Sequence, residues 1–228
     1  MLFKSQLIAQ GSGSMGGLVA SHNRFGQYMR RRAIPVNPST SFQQAVRLAF
    51  MTLAAAWKNI LTAQMRTDWE TYAINTPVTN RIGDTVTLTG LNMYIRCNTP
   101  RIQIGLSRVD AGPSIFGLPE TDSTFTPTAV ASTDIVSLAF SNALPWANEV
   151  GGYLIAYQTR PFSPSIVYLP ISMREVKNVA GAVIPPTSPA TYTSPFNLSA
   201  GQALKVQARI SRADGRLSAP FWVRAIAS

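Results

Sequence analysis

The sequence predicts an α+β protein: an extended basic arm over residues 1–40, a small helical bundle over 41–100, a linker over 101–125 and an antiparallel β-sandwich over 126–228. Three observations carry that prediction. The first forty residues hold a Gly/Ser tract, GSGSMGGLVA (11–20), and five basic residues with no acid, the first acid of the chain being Asp68. Apolar residues then recur at helical spacing from Phe42 to Ile60 and again from Met65 to Ala73. From residue 134 onward the chain breaks into strand-length apolar segments separated by Gly, Pro and Asn/Asp/Ser clusters.

The arm has too few apolar groups to bury a core, so it is expected to hold its shape only against another surface. Pro35 and Pro38 bias their predecessors away from helix and end it. Ser41 and Gln44 have the spacing of a capping box. Phe42, Val46, Phe50, Leu53 and Trp57 follow on one stripe of a helix rich in strong formers (LAFMTLAAAWKNIL). Thr62 caps a second helix, with Met65, Trp69 and Tyr72 on one side, which stops at Asn75-Thr-Pro77. Leu91, Tyr94 and Ile95 give a third helix over 91–99, closed by Pro100; Thr85 to Leu88 reads as a strand, and Thr89 equally as a cap for that helix. The expected core of the bundle is Phe42, Phe50, Leu53, Trp57 and Trp69, with Arg47 pointing away from it.

Segments 134–141, 151–160, 165–173, 202–212 and 219–227 read as strands. In the fourth, Leu204, Val206, Ala208 and Ile210 share one face and Lys205, Gln207 and Arg209 the other. Ala213-Asp-Gly215 supplies the turn between the last two. Five such segments at this spacing predict a sandwich. The final hairpin, with its D-G turn leading into Ser218-Ala-Pro220, resembles the last strand pair of immunoglobulin/fibronectin type III-like domains, which bears on fold alone.

Charge and composition narrow the function. Residues 1–110 carry 12 basic and 4 acidic groups, whereas 111–228 carry 8 and 6, so the net +10 is concentrated in the first half. That asymmetry calls for an acidic partner, nucleic acid or protein, at one end. Charged residues make up only 13% of the chain, which points to a surface that other protein covers. No run approaches the roughly 18 apolar residues of a membrane span, and no membrane partner is expected. QLIAQ, near the start, is too short and polar for a signal peptide.

No catalytic constellation is expected. His22 is the sole histidine and lies in the arm; Cys97 is the sole cysteine, in a helical apolar context, so neither a disulfide nor a Cys/His zinc site forms within the chain. Glu120, Asp122, Asp134, Glu149 and Glu175 are isolated, and Asp68 and Glu70, two apart, do not share a helix face. GSGSMGG lacks the GK[ST] ending of a phosphate loop. No cofactor or metal is expected. The strongest polar feature is Arg30-Arg-Arg32 with Arg24, Phe25 and Tyr28, to which Arg47 adds. These suit phosphates and stacked bases, or an acidic, carbonyl-rich protein groove.

Asn37, Pro38, Ser39, Gln43, Gln44 and Arg47, then Leu61, Thr62, Gln64, Arg66 and Trp69, stand close to a pattern of an N-P-x-T-x-x-Q-x-x-x-R helix start and an L-T-x-x-Q-R-x-x-W helix. With the Gly-rich basic arm before them, residues 11–75 resemble a group of bacterial and bacteriophage-encoded proteins. The resemblance implies a structural virion protein assembled in the bacterial host cytoplasm: a minor capsid, cement or decoration protein whose arm ties to neighbouring subunits. Its implied partners are capsid or other virion proteins, self-association included. Two alternatives stay open: a genome-contacting protein using the basic arm, and a tail-associated receptor- or glycan-binding module using Tyr153, Tyr157, Tyr168 and Trp222.

Overall fold

A computed structural model describes residues 12–23, 26–80, 83–167 and 172–228, and divides the chain into two units, Met1–Ser41 and Phe42–Ser228. The glycine-rich start, expected as an extended arm, doubles back on itself. Strands β1 (Gly13–Met15), β2 (Leu18–Asn23) and β3 (Gly26–Arg31) pair as an antiparallel meander. Gly16 and Gly17 form the tight turn between the first two, Gly16 at φ +58°, a conformation that side chains disfavour. A Gly-Gly pair between two short runs is a hairpin signal as much as a tether. Among the residues of this unit whose exposure is described, none is buried.

The second unit is α+β, with helices leading and antiparallel sheets following. Helices α1 (Ser41–Asn59), α2 (Ala63–Asn75) and α3 (Gly90–Gln103) come first, with a two-residue ladder, β4 (Val78–Thr79) and β5 (Thr85–Val86), between the last two. Thr62 and Thr89 cap α2 and α3, accepting from Met65 N at 3.2 Å and Asn92 N at 3.3 Å. The third helix runs through Pro100 rather than stopping at it. Arg101, one residue on, is held by four acceptors, which fixes the last turn despite the missing N–H of Pro100.

Seven further strands form two sheets. β6 (Thr126–Val130), β7 (Ile135–Ala139) and β10 (Ala190–Thr193) make one, in the order β10-β7-β6. β8 (Tyr153–Thr159), β9 (Met173–Ala180), β11 (Ala203–Ser211) and β12 (Phe221–Ile226) make the other, in the order β12-β11-β8-β9. The sheets enclose one core, with Val136, Leu138 and Tyr192 from the first and Leu154, Leu204, Val206 and Ile210 from the second, plugged by Trp146 and Phe140. A polar link crosses it, Tyr192 donating to Gln158 Oε1 at 2.7 Å and Gln158 Nε2 to Ser194 Oγ at 2.9 Å. Along one edge the sheets are stitched by a parallel bridge between Ala129 and Ala227. The strand expected over 165–173 lies later, at β9, and residues 168–171 are outside the described set. β6 and β10 were not expected; they are short, and Pro127 sits within β6.

The predicted linker is a strap on the helices. Trp69 Nε1 donates to Asp110 O and Tyr94 OH to Asp110 Oδ1, each at 2.9 Å. Val109 N donates to Asn98 Oδ1 at 2.7 Å, and Gly117 N to Thr76 Oγ1 at 3.0 Å. At Gly112 the strap lies so close to α2 that a Cβ would stand 2.6 Å from Asp68 Cβ and 2.7 Å from its carbonyl carbon. Trp69, Tyr72 and Tyr94 pack edge to face beneath it, at centroid separations of 5.9 and 5.4 Å.

The core expected of the bundle requires correction. Leu53 and Trp69 are fully buried and Trp57 is half-buried against Tyr94, but Phe42 and Phe50 are 58% and 53% exposed, and Val46 is 48% exposed. The buried side of α1 is Ala49, Leu53 and Ala56. A 19-residue helix is about 28 Å long, and the body formed by α2, α3 and the strap covers only its C-terminal half. The apolar stripe continues into solvent. Trp69→Ala should therefore cost about 3–5 kcal/mol in denaturant unfolding, whereas Phe50→Ala should stay within about 0.5 kcal/mol.

Candidate interaction surface

Most of the polar chemistry of the second unit is engaged in joining helices to sheets. Arg101, 5% exposed, donates to Ser107 O at 3.2 Å, to Ser211 Oγ and Arg212 O at 3.1 Å, and to Gly151 O at 3.4 Å. Burial pushes its pKa down, and these acceptors are what keep the guanidinium in place. Arg96 donates to Leu217 O at 3.1 Å and Ser218 O at 3.2 Å. Leu217, from the loop between β11 and β12, is fully buried in the helical core. The turn at 213–215 closes that loop, with Gly215 at φ +89° against Val109 and Trp69.

The carboxylates are similarly occupied. Asp122, buried, accepts from Thr124 N, Thr124 Oγ1 and Ser141 N at 2.7–2.9 Å. Asp134 accepts from Leu198 N at 2.6 Å. Glu149 pairs with Arg212 and also takes Ala213 N at 3.1 Å. Asp110 pairs with Arg108 at 2.7 Å and Asp214 with Arg216 at 2.6 Å. Each fixes a turn or a loop. Among the described residues no group of three or more His, Cys, Asp or Glu could hold a metal ion. No helix among them is long and apolar enough to cross a membrane.

Two surfaces remain. The first is the N-terminal half of α1, where every residue from 41 to 48 is exposed and Phe42, Val46 and Phe50 stand at i, i+4 and i+8. Leu48 and Met51, 64% and 66% exposed, extend the apolar area round the helix. Its charged residues, Arg47 and Lys58, are basic and exposed, and it holds no acid. Single exposed apolar residues are ordinary; a run of five on one element is a surface built for contact. The hydrophobic pattern of α1 was legible in the sequence, but the length over which the chain itself covers it was not.

The second surface is the end of the sandwich where β8 and β12 finish and β9 and β11 begin. There the Arg174 guanidinium lies over Phe42 at 5.0 Å and Phe196 at 5.2 Å, Arg160 over Phe196 at 5.8 Å, Arg224 over Phe162 at 5.5 Å, and Lys205 over Trp222 at 4.6 Å. Sequence reading missed this cluster, because its members come from six separate segments.

The residues singled out in the first unit are only partly brought together. Arg24 and Phe25 lie outside the described residues. Tyr28 and Arg30 fall on one face of β3, opposite Ser21 and Val19, and Arg31 on the other, while Arg32 follows the strand and donates its N–H to Gly17 O at 2.8 Å. The three adjacent arginines, all exposed, therefore do not form one grip: strand alternation divides them. Of the tyrosines considered for a binding face, Tyr153 and Tyr157 are half-buried and Tyr168 is outside the described residues; Trp222 is 47% exposed.

No family model and no curated protein sequence matches the chain. Among solved structures, the adhesin domain of Epf from Streptococcus pyogenes is similar with a TM-score of 0.31 and 14% identity. The alignment covers 49% of this chain and 33% of that one, so the chain spans about a third of its length.

Cys97 is fully buried, and burial pushes its thiol from the ordinary 9.0 up to about 11. Tyr157 is raised in the same way from 10.0 to about 12, and Tyr72 and Tyr94 are raised as well. Below pH 9 both folded and unfolded chains keep the thiol proton, and stability is unaffected by it. Between about 9 and 11 only the unfolded chain releases that proton, so stability should fall as pH rises through this window, with the tyrosines extending the loss upward. Denaturant midpoints across that range check this. A thiol reagent at pH 8 should label Cys97 only after unfolding.

Proposed function

We propose that the chain is a non-enzymatic structural component of a bacteriophage virion: a minor capsid, cement or decoration protein seated against a neighbouring virion protein through the N-terminal half of α1. The observation that carries this reading is the exposed stripe Phe42, Val46 and Phe50, continuous with the buried stripe of the same helix. Burying it in a partner is worth roughly 25 cal/mol per Å² of apolar area, and nothing in the described second unit takes that place. The partner surface is apolar with an acidic rim, because α1 offers only Arg47 and Lys58 as charges. The low charged fraction of the chain, 13%, and the resemblance of residues 11–75 to bacteriophage-encoded proteins support the same reading.

The finer fold assignment belongs here too. The orders β10-β7-β6 and β12-β11-β8-β9 fit a seven-stranded fibronectin-like sandwich. Such domains serve as spacers and as binding platforms, so the fold does not choose between functions. For the tail-associated receptor- or glycan-binding alternative the fully described candidate is Trp222, since its tyrosine companions are half-buried or undescribed.

Replacing Val46 and Phe50 by Asp tests the proposal. The double variant should unfold within about 0.5 kcal/mol of the parent and yet fail to co-purify with assembled particles. Normal incorporation of the folded variant would overturn the assembly role of α1. A particle map that places the chain on a receptor-binding tail tip would overturn the head assignment.

A further inference from the structure

Among the described residues, the cations at the end of the sandwich make no ion pair. Among the described residues, the ion pairs are Arg108–Asp110, Arg212–Glu149 and Arg216–Asp214, which lie on the strap, the β7–β8 connection and the β11–β12 loop, at the opposite end. Arg160, Arg174, Lys205 and Arg224 pair with no described carboxylate. Asp134, which accepts from Leu198 N, and Glu175, paired with Tyr157 in the ladder, make no ion pair with them.

Each of these cations is instead laid over an aromatic ring. The exposed guanidiniums of Arg160 and Arg174, stacked on a ring, lose little entropy when they bind an oxyanion, whereas Arg224 is half-buried and already donates to Pro164 O. The sheet order sets them in a row. Arg174 opens β9, Arg160 follows β8, Lys205 lies near the start of β11, and Arg224 lies near the end of β12 beside Trp222. The row wraps from the rim, where Arg174 and Arg160 meet Phe196, to the outer face, where Lys205 and Arg224 are register partners. The four cations thus come from one end of four adjacent strands, which are about 4.8 Å apart.

We infer that this end of the sandwich is a binding site for single-stranded nucleic acid, distinct from the basic meander. The cations track phosphates, and Trp222, nearly half-exposed, offers a face on which a base stacks. An acidic protein surface would satisfy the cations as well, and competition by polyglutamate together with the effect of W222A separates the two. The inference does not rest on the assembly role proposed for α1: of that stripe only Phe42 touches the cluster, through Arg174, and the variants that test the two readings share no residue.

The experiment uses the full chain with Arg24, Arg30, Arg31 and Arg32 all changed to Gln, which silences the first unit. Binding of a labelled oligothymidylate of about twenty nucleotides is followed by anisotropy over a salt series. Binding should persist in this background and weaken with salt, log K falling by about 0.7 per phosphate contact for each unit of log salt. Adding R160E and R174E, both at exposed positions, should reduce affinity at least tenfold and flatten the slope. W222A alone should reduce it about five- to a hundredfold, the loss expected for one stacked base. Thermal unfolding confirms that each variant is folded. Three outcomes overturn the inference: no binding at low salt in the arm-silenced chain, binding indifferent to R160E/R174E, or polyglutamate competing as well as the oligonucleotide with W222A without effect.

Discussion

The insertion of one loop into the helices holds the second unit together. Between β11 and β12 the chain drops Leu217 into the helical core, lays Gly215 against Trp69 and Val109, and presents the carbonyls of Arg212, Leu217 and Ser218 to two arginines of α3. Arg101 is nearly buried, and a buried charge is tolerable only when its donors are matched. They are matched by acceptors from both bodies, Ser107 on the helical side and Ser211 and Arg212 on the sheet side. An apolar substitute would leave those carbonyls facing the interior unpaired, at about 1–3 kcal/mol for each. Helices and sandwich are thus one folding body, joined through a loop that in isolation would read as a surface turn.

That joint also decides where the remaining charge lies. Acids at the strap and the loop are consumed in fixing it: Asp110 holds Tyr94 and Arg108, Glu149 holds Arg212 and the Ala213 N–H, and Asp214 holds Arg216. With ten acids against twenty basic residues in the whole chain, at least ten basic residues have no acid of their own. The rings of Phe162, Phe196 and Trp222 take their place, which costs no counter-charge and leaves the cations electrostatically uncompensated. A net positive field at that end follows from the stoichiometry and from where the acids are used.

Features set by local chemistry were legible in the sequence. Thr62 and Thr89 start helices where a hydroxyl can meet early N–H groups, and Leu204, Val206 and Ile210 alternate inward as period two requires. Features that depend on partners distant in the chain were not. Residues 109–117 look like a linker because Gly112, Pro113 and Gly117 are turn formers, yet Gly112 is there so that the strap can touch α2. The stripe of α1 carries the same pattern whether covered or bare, so periodicity gave the right angle for Phe42 and Phe50 and no information on their burial. The meander around Gly16-Gly17 was expected as an extended arm, because the three residues of β1 are too few to show alternation. The cation–aromatic row joins six segments that only the sheet order brings side by side.

The two surfaces proposed for partners share a residue contact. Arg174 lies over Phe42 on one side and Phe196 on the other, so the start of the α1 stripe and the rim of the cationic end abut. A protein covering Phe42 desolvates Arg174, and a buried cation with no carboxylate strengthens its interaction with any phosphate that reaches it. Conversely, a nucleic-acid strand that draws Arg174 off its rings exposes more of Phe42 and Phe196 to whatever sits on the helix. The two occupancies are therefore coupled through a single guanidinium, with a sign set by whether Arg174 keeps its place between the rings. If it stays, each partner favours the other.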